Sequence, residues 1–171
     1  MQSTILRYGL LSGACAAVLM LITVWYNHSN PDYENGAYFG YAGILLSMLF
    51  VFFGVRSYRD RWNGGALSFG KGFQVGILIA LISCLCYVVT WMIVYETLMP
   101  DFMDKYMAHA LEQMRQAGKS ELEIQEQTAE MMQYKEMYKS PVTRFLITFI
   151  EPFPVALGVT LVSALVLKRR P

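Results

Sequence analysis

Four long apolar stretches restrict the fold of this chain more than any other feature of its sequence. They run over residues 5–26, 37–55, 72–95 and 145–167. A helix needs about 20 apolar residues to cross about 30 Å of hydrocarbon, and each stretch is close to that length. The stretches do not alternate as barrel strands do, and a helix satisfies its own backbone hydrogen bonds in lipid. The sequence therefore predicts an all-α fold, a four-helix transmembrane bundle.

The first apolar stretch is interpreted as a retained helix and not as a cleaved signal peptide. It is long for the apolar region of a signal peptide. Trp25, Tyr26, Asn27 and His28 stand at its end, where a cleavage site would need small residues. The N-terminal segment is therefore predicted to stay in the membrane.

Charged residues are unevenly distributed along the chain. Nine of the 13 acidic residues lie between positions 96 and 136, before the fourth stretch. Eight of the 14 basic residues lie near the N-terminus, in positions 56–71, or at the C-terminal end. Lysine and arginine collect in the cytoplasmic loops of membrane proteins. Both termini are therefore predicted to be cytoplasmic, with the acidic loop outside.

The chain is predicted to consist of three segments. Residues 1–96 contain the first three spans, and residues 142–171 contain the last span and a basic tail. The long loop between them, residues 97–141, is predicted to fold as a helical hairpin. Gly118 is a typical stop for a first helix, and the segment 120–123 has the capping-box pattern that starts a second. An apolar stripe follows both helices: Met103, Met107, Ala110, Met114, Ala117, Ile124, Thr128, Met131, Tyr134 and Tyr138. The two stripes are predicted to pack on each other. The alternative is an adaptable surface for a partner or for lipid.

Three of the spans begin with a Gly-x-x-x-Gly pattern. The pairs are Gly9 and Gly13, Gly36 and Gly40, and Gly72 and Gly76. Small residues at this spacing let helix backbones approach closely in lipid, where no hydrophobic force drives helices together. Close packing within the chain is predicted, and dimerisation is the alternative.

Glu151 is the first candidate site residue, because it is an acidic residue inside an apolar stretch. Charged groups within a membrane are costly and often mark ion or proton paths. Pro152 and Pro154 follow it, and proline frees backbone carbonyls as in some transporters. The alternative places Glu151 at the water–membrane boundary. Its candidate partners on the third span are Gln74, Ser83 and Thr90.

A second candidate site follows the second span, where Arg56, Arg59, Asp60 and Arg61 are close in sequence. Asp60 is expected to pair with Arg56 one helical turn away. The arginines are interpreted first as the signal that sets the topology. The alternative is that Arg56, Arg59 and Arg61 bind anionic lipid headgroups or a protein partner.

The segment 65–72 imitates a phosphate-binding loop, with the spacing Gly-x4-Gly-Lys. Gly72 stands where the magnesium-binding Ser or Thr is needed, and no strand precedes the segment. Nucleotide binding is therefore not predicted, and a tight turn is. No nucleic-acid partner is expected either.

No catalytic, cofactor or metal site is predicted, and the protein is predicted not to be an enzyme. Cys15, Cys84 and Cys86 lie within apolar runs and are interpreted as small buried residues. His28 and His109 have no potential ligands at metal-binding spacing. No catalytic triad or pair of intramembrane carboxylates is present in the sequence.

Several segments resemble a bacterial family of small membrane proteins with a domain of unknown function. The likeness is carried by FFGVRSYRD at 52–60, Gly-Gly at 64–65, SFGKGF at 68–73, and the ending from 153 to 169. It covers nearly the whole chain. The resemblance implies four spanning helices with a long loop before the last one, and a location in the bacterial cell (inner) membrane. It implies no activity.

Two functions are compatible with these features. The first is a non-enzymatic scaffold or accessory subunit that acts through the helical hairpin, by contact with a protein partner or with itself. The alternative is an oligomeric small transporter or channel component that uses Glu151. Four spans are few for a monomeric carrier, so that alternative requires oligomers.

Overall fold

The structure of the chain is a computed structural model that describes residues 1–29 and 33–169. Seven α-helices form nearly all of the described part, and the only strand-like pairing there is a single bridge between Leu67 and Arg169. The prediction of an all-α fold is confirmed. In chain order the helices are α1 (Gln2–Ser29), α2 (Tyr33–Trp62), α3 (Phe69–Thr97), α4 (Phe102–Gln116), α5 (Glu121–Lys139), α6 (Pro141–Ile150) and α7 (Phe153–Leu167).

Four helical segments among the described residues are long and apolar enough to cross a membrane, so the chain is a multi-pass membrane protein. They are Gln2–Tyr26, Tyr38–Trp62, Phe69–Thr97 and Pro141–Leu167. The fourth consists of α6 and α7, which are separated by a turn at Glu151 and Pro152. Proline interrupts the helix because it lacks an N–H and its ring clashes with the preceding turn.

The fourth span begins earlier than the sequence predicted. The apolar stretch starts at residue 145, whereas the span starts at Pro141 and includes Arg144. The helix thus extends four residues beyond the N-terminal end of the apolar stretch. A charged side chain is compatible with a spanning helix when it is buried and paired.

The chain folds as two compact units. The span unit comprises Met1–Thr90 and Phe149–Pro171, and the hairpin unit comprises Trp91–Thr148. The core of the span unit is apolar and fully enclosed, and includes Met48, Val55, Val75, Ile79 and Ala156. Helix α2 packs against both α1 and α7 in this unit.

Glycines allow α1 and α3 to approach closely within the span unit. A Cβ atom built at Gly13 would lie 2.5 Å from Cβ of Cys86, and one built at Gly9 would lie 2.8 Å from Cβ of Ile82. Real side chains do not tolerate such distances, so only glycine fits at these positions. The first Gly-x-x-x-Gly pair therefore packs within the chain, as predicted.

The other two glycine pairs differ from each other. A Cβ at Gly76 would lie 3.0 Å from Cγ2 of Thr160, so the third pair packs α3 on α7. A Cβ at Gly40 would meet nothing within 4 Å. Gly36 lies outside the residues whose side-chain surroundings are described. Among the described residues nothing lies within 4 Å of this point, so the predicted close packing within the chain is not found at Gly40.

The turn between α2 and α3 has the predicted form. Gly64 and Gly65 have φ angles of 60° and 82°, a left-handed conformation that glycine adopts without strain. Leu67 is fully buried and exchanges two backbone hydrogen bonds of 2.9 Å with Arg169. The turn is thus fixed to the end of α7.

The hairpin unit contains α4 and α5, which pack against each other. Gly118 ends the first helix with φ 69°, and Ser120 caps the second. The backbone N–H of Glu123 donates to the Ser120 hydroxyl, while the Glu123 carboxylate accepts from the Ser120 backbone. The predicted hairpin and its capping box are confirmed.

The predicted apolar stripes face the interior of the hairpin unit for most of their length. Met103 and Tyr138 are buried, whereas Ala117 and Tyr134 are exposed. The remaining stripe residues are half-buried. The stripes thus supply the contact between α4 and α5, but they do not end in a closed core.

Candidate functional site

Glu151 lies at the break between α6 and α7, with its side chain exposed. The Tyr87 hydroxyl donates a hydrogen bond of 3.2 Å to its Oε2 atom. At 1.5 Å per residue, Glu151 is about 24 Å from the end of the span at Leu167. A carboxylate accepts about four hydrogen bonds, and Tyr87 supplies one. The arrangement leaves room for a proton, water or a partner group at Glu151.

The sequence predicted the wrong partners for Glu151. Each of the three candidates bonds elsewhere: Gln74 with Lys71, Ser83 with Ser12, and Thr90 with the carbonyl of Cys86. Tyr87 was missed because helical periodicity alone does not fix how α3 is rotated relative to α7. A tyrosine in the middle of an apolar span was the available signal, since a buried or lipid-facing hydroxyl seeks a partner.

The second candidate site is a small ion-pair cluster at the end of α2. Nε of Arg59 lies 2.7 Å from Oδ1 of Asp60, and Nε of Arg56 lies 3.7 Å from Oδ2. The predicted pairing of Asp60 with Arg56 is confirmed. The Arg59 side chain is only 16% exposed, whereas that of Arg56 is 58% exposed. Asp60 therefore neutralises part of the positive charge that the sequence assigned to this loop.

The structure reveals a buried cation that the sequence pattern did not indicate. Arg144 on α6 is 3% exposed, and its guanidinium donates to the carboxylate of Glu96 at the end of α3. Its Nε atom lies 3.4 Å from Sδ of Met92, and its Cζ atom lies 4.2 Å from the centre of the Tyr95 ring. Buried charges require such compensation. The available signal was a lone arginine at the start of one apolar stretch and a lone acid at the end of another.

Hydrogen bonds extend this cluster within the hairpin unit. Nε1 of Trp91 donates to the Tyr138 hydroxyl at 2.5 Å, and that hydroxyl lies 3.4 Å from Oγ1 of Thr148. The rings of Tyr95 and Tyr138 meet edge to face, with centres 5.3 Å apart. The end of α5 is thereby fixed to the C-terminal part of α3 and to α6.

Three serines form a buried hydrogen-bonded group in the span unit. The Ser12 hydroxyl lies 2.7 Å from the Ser47 carbonyl oxygen and 2.8 Å from the Ser83 hydroxyl. A hydroxyl has one hydrogen to donate, so Ser12 donates to Ser47 and accepts from Ser83. The group joins α1, α2 and α3, and its role is packing.

The described residues contain no group of three His, Cys, Asp or Glu side chains that could hold a metal ion. Cys15, Cys84 and Cys86 are free thiols. Cys84 is buried, whereas Cys15 and Cys86 are half-buried. The cysteines therefore form part of helix packing in the span unit.

Comparison with known proteins gives a family and no activity. A family described as "Protein of unknown function (DUF4199)" matches residues 7–169. No curated protein and no solved structure matches the chain. The match covers all four spans and the hairpin. The chain therefore belongs to this family of proteins of unknown function.

Proposed function

We propose that the protein is a non-enzymatic membrane scaffold or accessory subunit whose hairpin, α4 and α5, binds a protein partner. The observation that carries this proposal is the set of large apolar side chains that the hairpin exposes. Leu122 is 66% exposed and Met132 is 58% exposed. Large apolar side chains exposed on one helical hairpin can contact a partner, and methionine adapts to different partners. The other exposed members are Tyr106, Tyr134 and Met137.

The hairpin is built as a fixed surface, which supports the proposal. Lys135 on α5 forms an ion pair with Asp104 on α4. The capping box fixes the start of α5, and the Tyr138 hydrogen bonds fix its end. A preformed surface loses little conformational entropy when it binds. Exposed acids on α5, including Glu126 and Glu130, add a preference for a basic partner.

Site-specific photo-crosslinking tests this proposal in intact cells. A photoreactive amino acid at position 132 is expected to capture one protein species. The double variant L122S/M137S should weaken that adduct by about tenfold or more, since each buried apolar side chain contributes about 1.5–3 kcal/mol. The matched variant Q125S/Q133S, which removes exposed polar side chains from the same helix, should leave it unchanged. Capture of lipid alone, or equal loss in both variants, would contradict the scaffold.

An oligomeric transporter or channel component is the second candidate. It is favoured by one observation, the exposed Glu151 carboxylate at a helix break within a span. A carboxylate that faces lipid is unstable, and a neighbouring copy of the chain could cover it. The oligomeric state in detergent separates the candidates. A stable symmetric oligomer that E151Q dissociates supports transport, whereas a monomer counts against it.

We propose a location in the bacterial inner membrane, with both termini in the cytoplasm. The support is the excess of lysine and arginine on the α2–α3 turn and at the end of α7. Fluorescent-protein and alkaline phosphatase fusions test the orientation. Fusions after residue 171 should give fluorescence and no phosphatase activity. Insertions at Gly118 should give phosphatase activity and no fluorescence. Arg56, Arg59 and Arg61 are further proposed to meet anionic lipid headgroups.

A further inference from the structure

A cleft of about 650 Å³ opens in the span unit between the α2–α3 turn and the end of α7. We name it the basic cleft, because Lys71, Lys168 and Arg169 line it together with Ser68. Each of the three cations comes from a segment just outside an apolar helix or from its first turn. These cations belong to other segments than Arg56 and Arg59, although Arg169 also acts electrostatically on Asp60.

The backbone around the basic cleft is fixed. Leu67 and Arg169 are joined by two backbone hydrogen bonds of 2.9 Å, and Leu67 is fully buried beneath them. The Asn63 side chain donates a hydrogen bond of 2.7 Å to the carbonyl oxygen of Ala66, and this bond closes the turn. The two walls of the cleft are therefore held together without any ligand, and a ligand would meet a preformed site.

The cations of the basic cleft lack acidic partners. In the part of the chain that the structure describes, Lys71, Lys168 and Arg169 form no ion pair with a carboxylate. Nζ of Lys71 donates a hydrogen bond of 3.1 Å to the amide oxygen of Gln74, a side chain that carries no charge. Asp60, the nearest acid in sequence, is already bonded to arginines of its own helix. Arg169 also acts electrostatically on Asp60, but the lining of the cleft includes three cations and no carboxylate, and this excess of positive charge favours an anion.

The basic cleft lies at the level where lipid headgroups lie. One span ends at Trp62, the next begins at Phe69, and the fourth ends at Leu167. The residues of the cleft fall between or just beyond these three ends. Trp62 is 61% exposed, as is typical of tryptophan at a membrane–water interface. The cleft therefore faces the phosphate layer of the adjoining leaflet.

We propose that the basic cleft binds the phosphate of an anionic phospholipid headgroup. Lys71, Lys168 and Arg169 supply the positive charge, and the Ser68 hydroxyl is close by in the lining to donate a hydrogen bond. The apolar helices beside the cleft then accept the acyl chains. This site is independent of the hairpin and of the scaffold proposal, so either can fail alone.

Native mass spectrometry of the full-length protein with added lipid tests the site. Phosphatidylglycerol should bind more tightly than phosphatidylcholine. Each cation replaced by glutamine should weaken phosphatidylglycerol binding by about fivefold, and K71Q/K168Q/R169Q by about a hundredfold. The charge-retaining variant K71R/K168R/R169K should bind as the unchanged protein does. Glutamine at 169 keeps the backbone bonds to Leu67, and unchanged thermal unfolding without lipid checks the fold.

The matched control removes the same charge elsewhere. K105Q/R115Q/K119Q neutralises three exposed cations of α4 and its turn, and should leave lipid binding unchanged. Equal loss in this variant would overturn the proposal, since binding would then follow net charge alone. Competition with inorganic phosphate is the second part of the experiment. If millimolar phosphate displaces the lipid completely, the cleft is a site for a soluble anion and the lipid assignment is wrong.

Discussion

Arg144 and Glu96 illustrate how burial decides the value of one ion pair. The arginine is 3% exposed, whereas the Glu96 side chain is 63% exposed. The two residues therefore depend on the pair to different extents. Glu96 can be hydrated if its partner is lost. Arg144 cannot, and its remaining neighbours are the Met92 sulfur and the Tyr95 ring.

We predict that removing the exposed partner costs more than removing the buried one. E96A leaves a buried unpaired charge and should destabilise the protein by about 3–5 kcal/mol. R144M replaces the cation with an apolar chain of similar length and should cost about 1 kcal/mol or less. Denaturant unfolding in detergent measures both, with E130A as the control at an exposed acid. A larger loss of unfolding free energy in R144M than in E96A would contradict this prediction. It would show that the guanidinium itself stabilises the protein more than its pairing with Glu96 does.

The sequence was sufficient for the parts of the fold that depend on local pattern. Apolar length predicted the four spans, and the Ser-Glu-Leu-Glu segment at 120–123 predicted the start of α5. It was insufficient where helix rotation decides. Tyr87 and not Ser83 meets Glu151, and a Cβ at Gly40 would have no described atom within 4 Å, although its motif matches that of Gly13. Residue spacing determines which side chains share a helix face, but not which neighbour that face meets.

At the scale of a helix, Gly13 and Gly40 provide a matched pair. Both belong to a Gly-x-x-x-Gly pattern, but a Cβ at Gly13 would overlap Cys86, whereas a Cβ at Gly40 would meet no described atom within 4 Å. G13A should destabilise the protein by about 1–3 kcal/mol, because its methyl group would overlap Cys86. G40A should be neutral or slightly stabilising, since alanine is the better helix former. Thermal unfolding of both variants in detergent measures the difference. Equal destabilisation would indicate that Gly40 meets a second copy of the chain.

The capping box of α5 predicts a dependence of stability on pH. The Ser120 backbone N–H and the Lys119 ammonium lower the pKa of Glu123 to about 2, from a usual value near 4.5. The contribution of Glu123 is therefore complete above about pH 4.5 and is lost as the pH falls toward 2. E123Q should reduce the dependence of the unfolding free energy on pH between pH 5 and pH 3. The control variant E130Q should leave this dependence unchanged. Helix content followed during denaturant unfolding at both pH values measures it. Identical slopes in the protein and E123Q would contradict the capping role.

At the scale of the molecule, the two units combine different kinds of stability. The span unit is closed by apolar contacts, glycine packing and one serine group. The hairpin unit is held by ion pairs, a capping box and an aromatic hydrogen-bond cluster. The boundary between the units falls within two of the spans, after Thr90 in Phe69–Thr97 and before Phe149 in Pro141–Leu167, so each unit contains part of the membrane-spanning helices.

The position of Glu151 relative to the membrane determines which of the two candidate functions survives. About 24 Å of helix separates it from Leu167, so a hydrocarbon layer of about 30 Å should cover it. On a cysteine-free background, V142C should react readily with a membrane-impermeant maleimide in intact cells, since Val142 is the second residue of the fourth span, at its end. E151C should react about tenfold more slowly or not at all, because the reagent does not enter lipid. A permeant maleimide is the control for local folding.

Shielding of position 151 in this experiment has a further consequence. An exposed intramembrane carboxylate then needs either a proton or a covering group, and Tyr87 supplies only one hydrogen bond. Shielded E151C therefore supports the oligomeric transporter, and the oligomer should dissociate when the carboxylate is replaced. Rapid reaction at 151 places Glu151 in the headgroup layer, where water satisfies it. The transporter hypothesis then has no intramembrane carboxylate at the α6–α7 break to support it. The hairpin remains as the proposed site through which the protein acts.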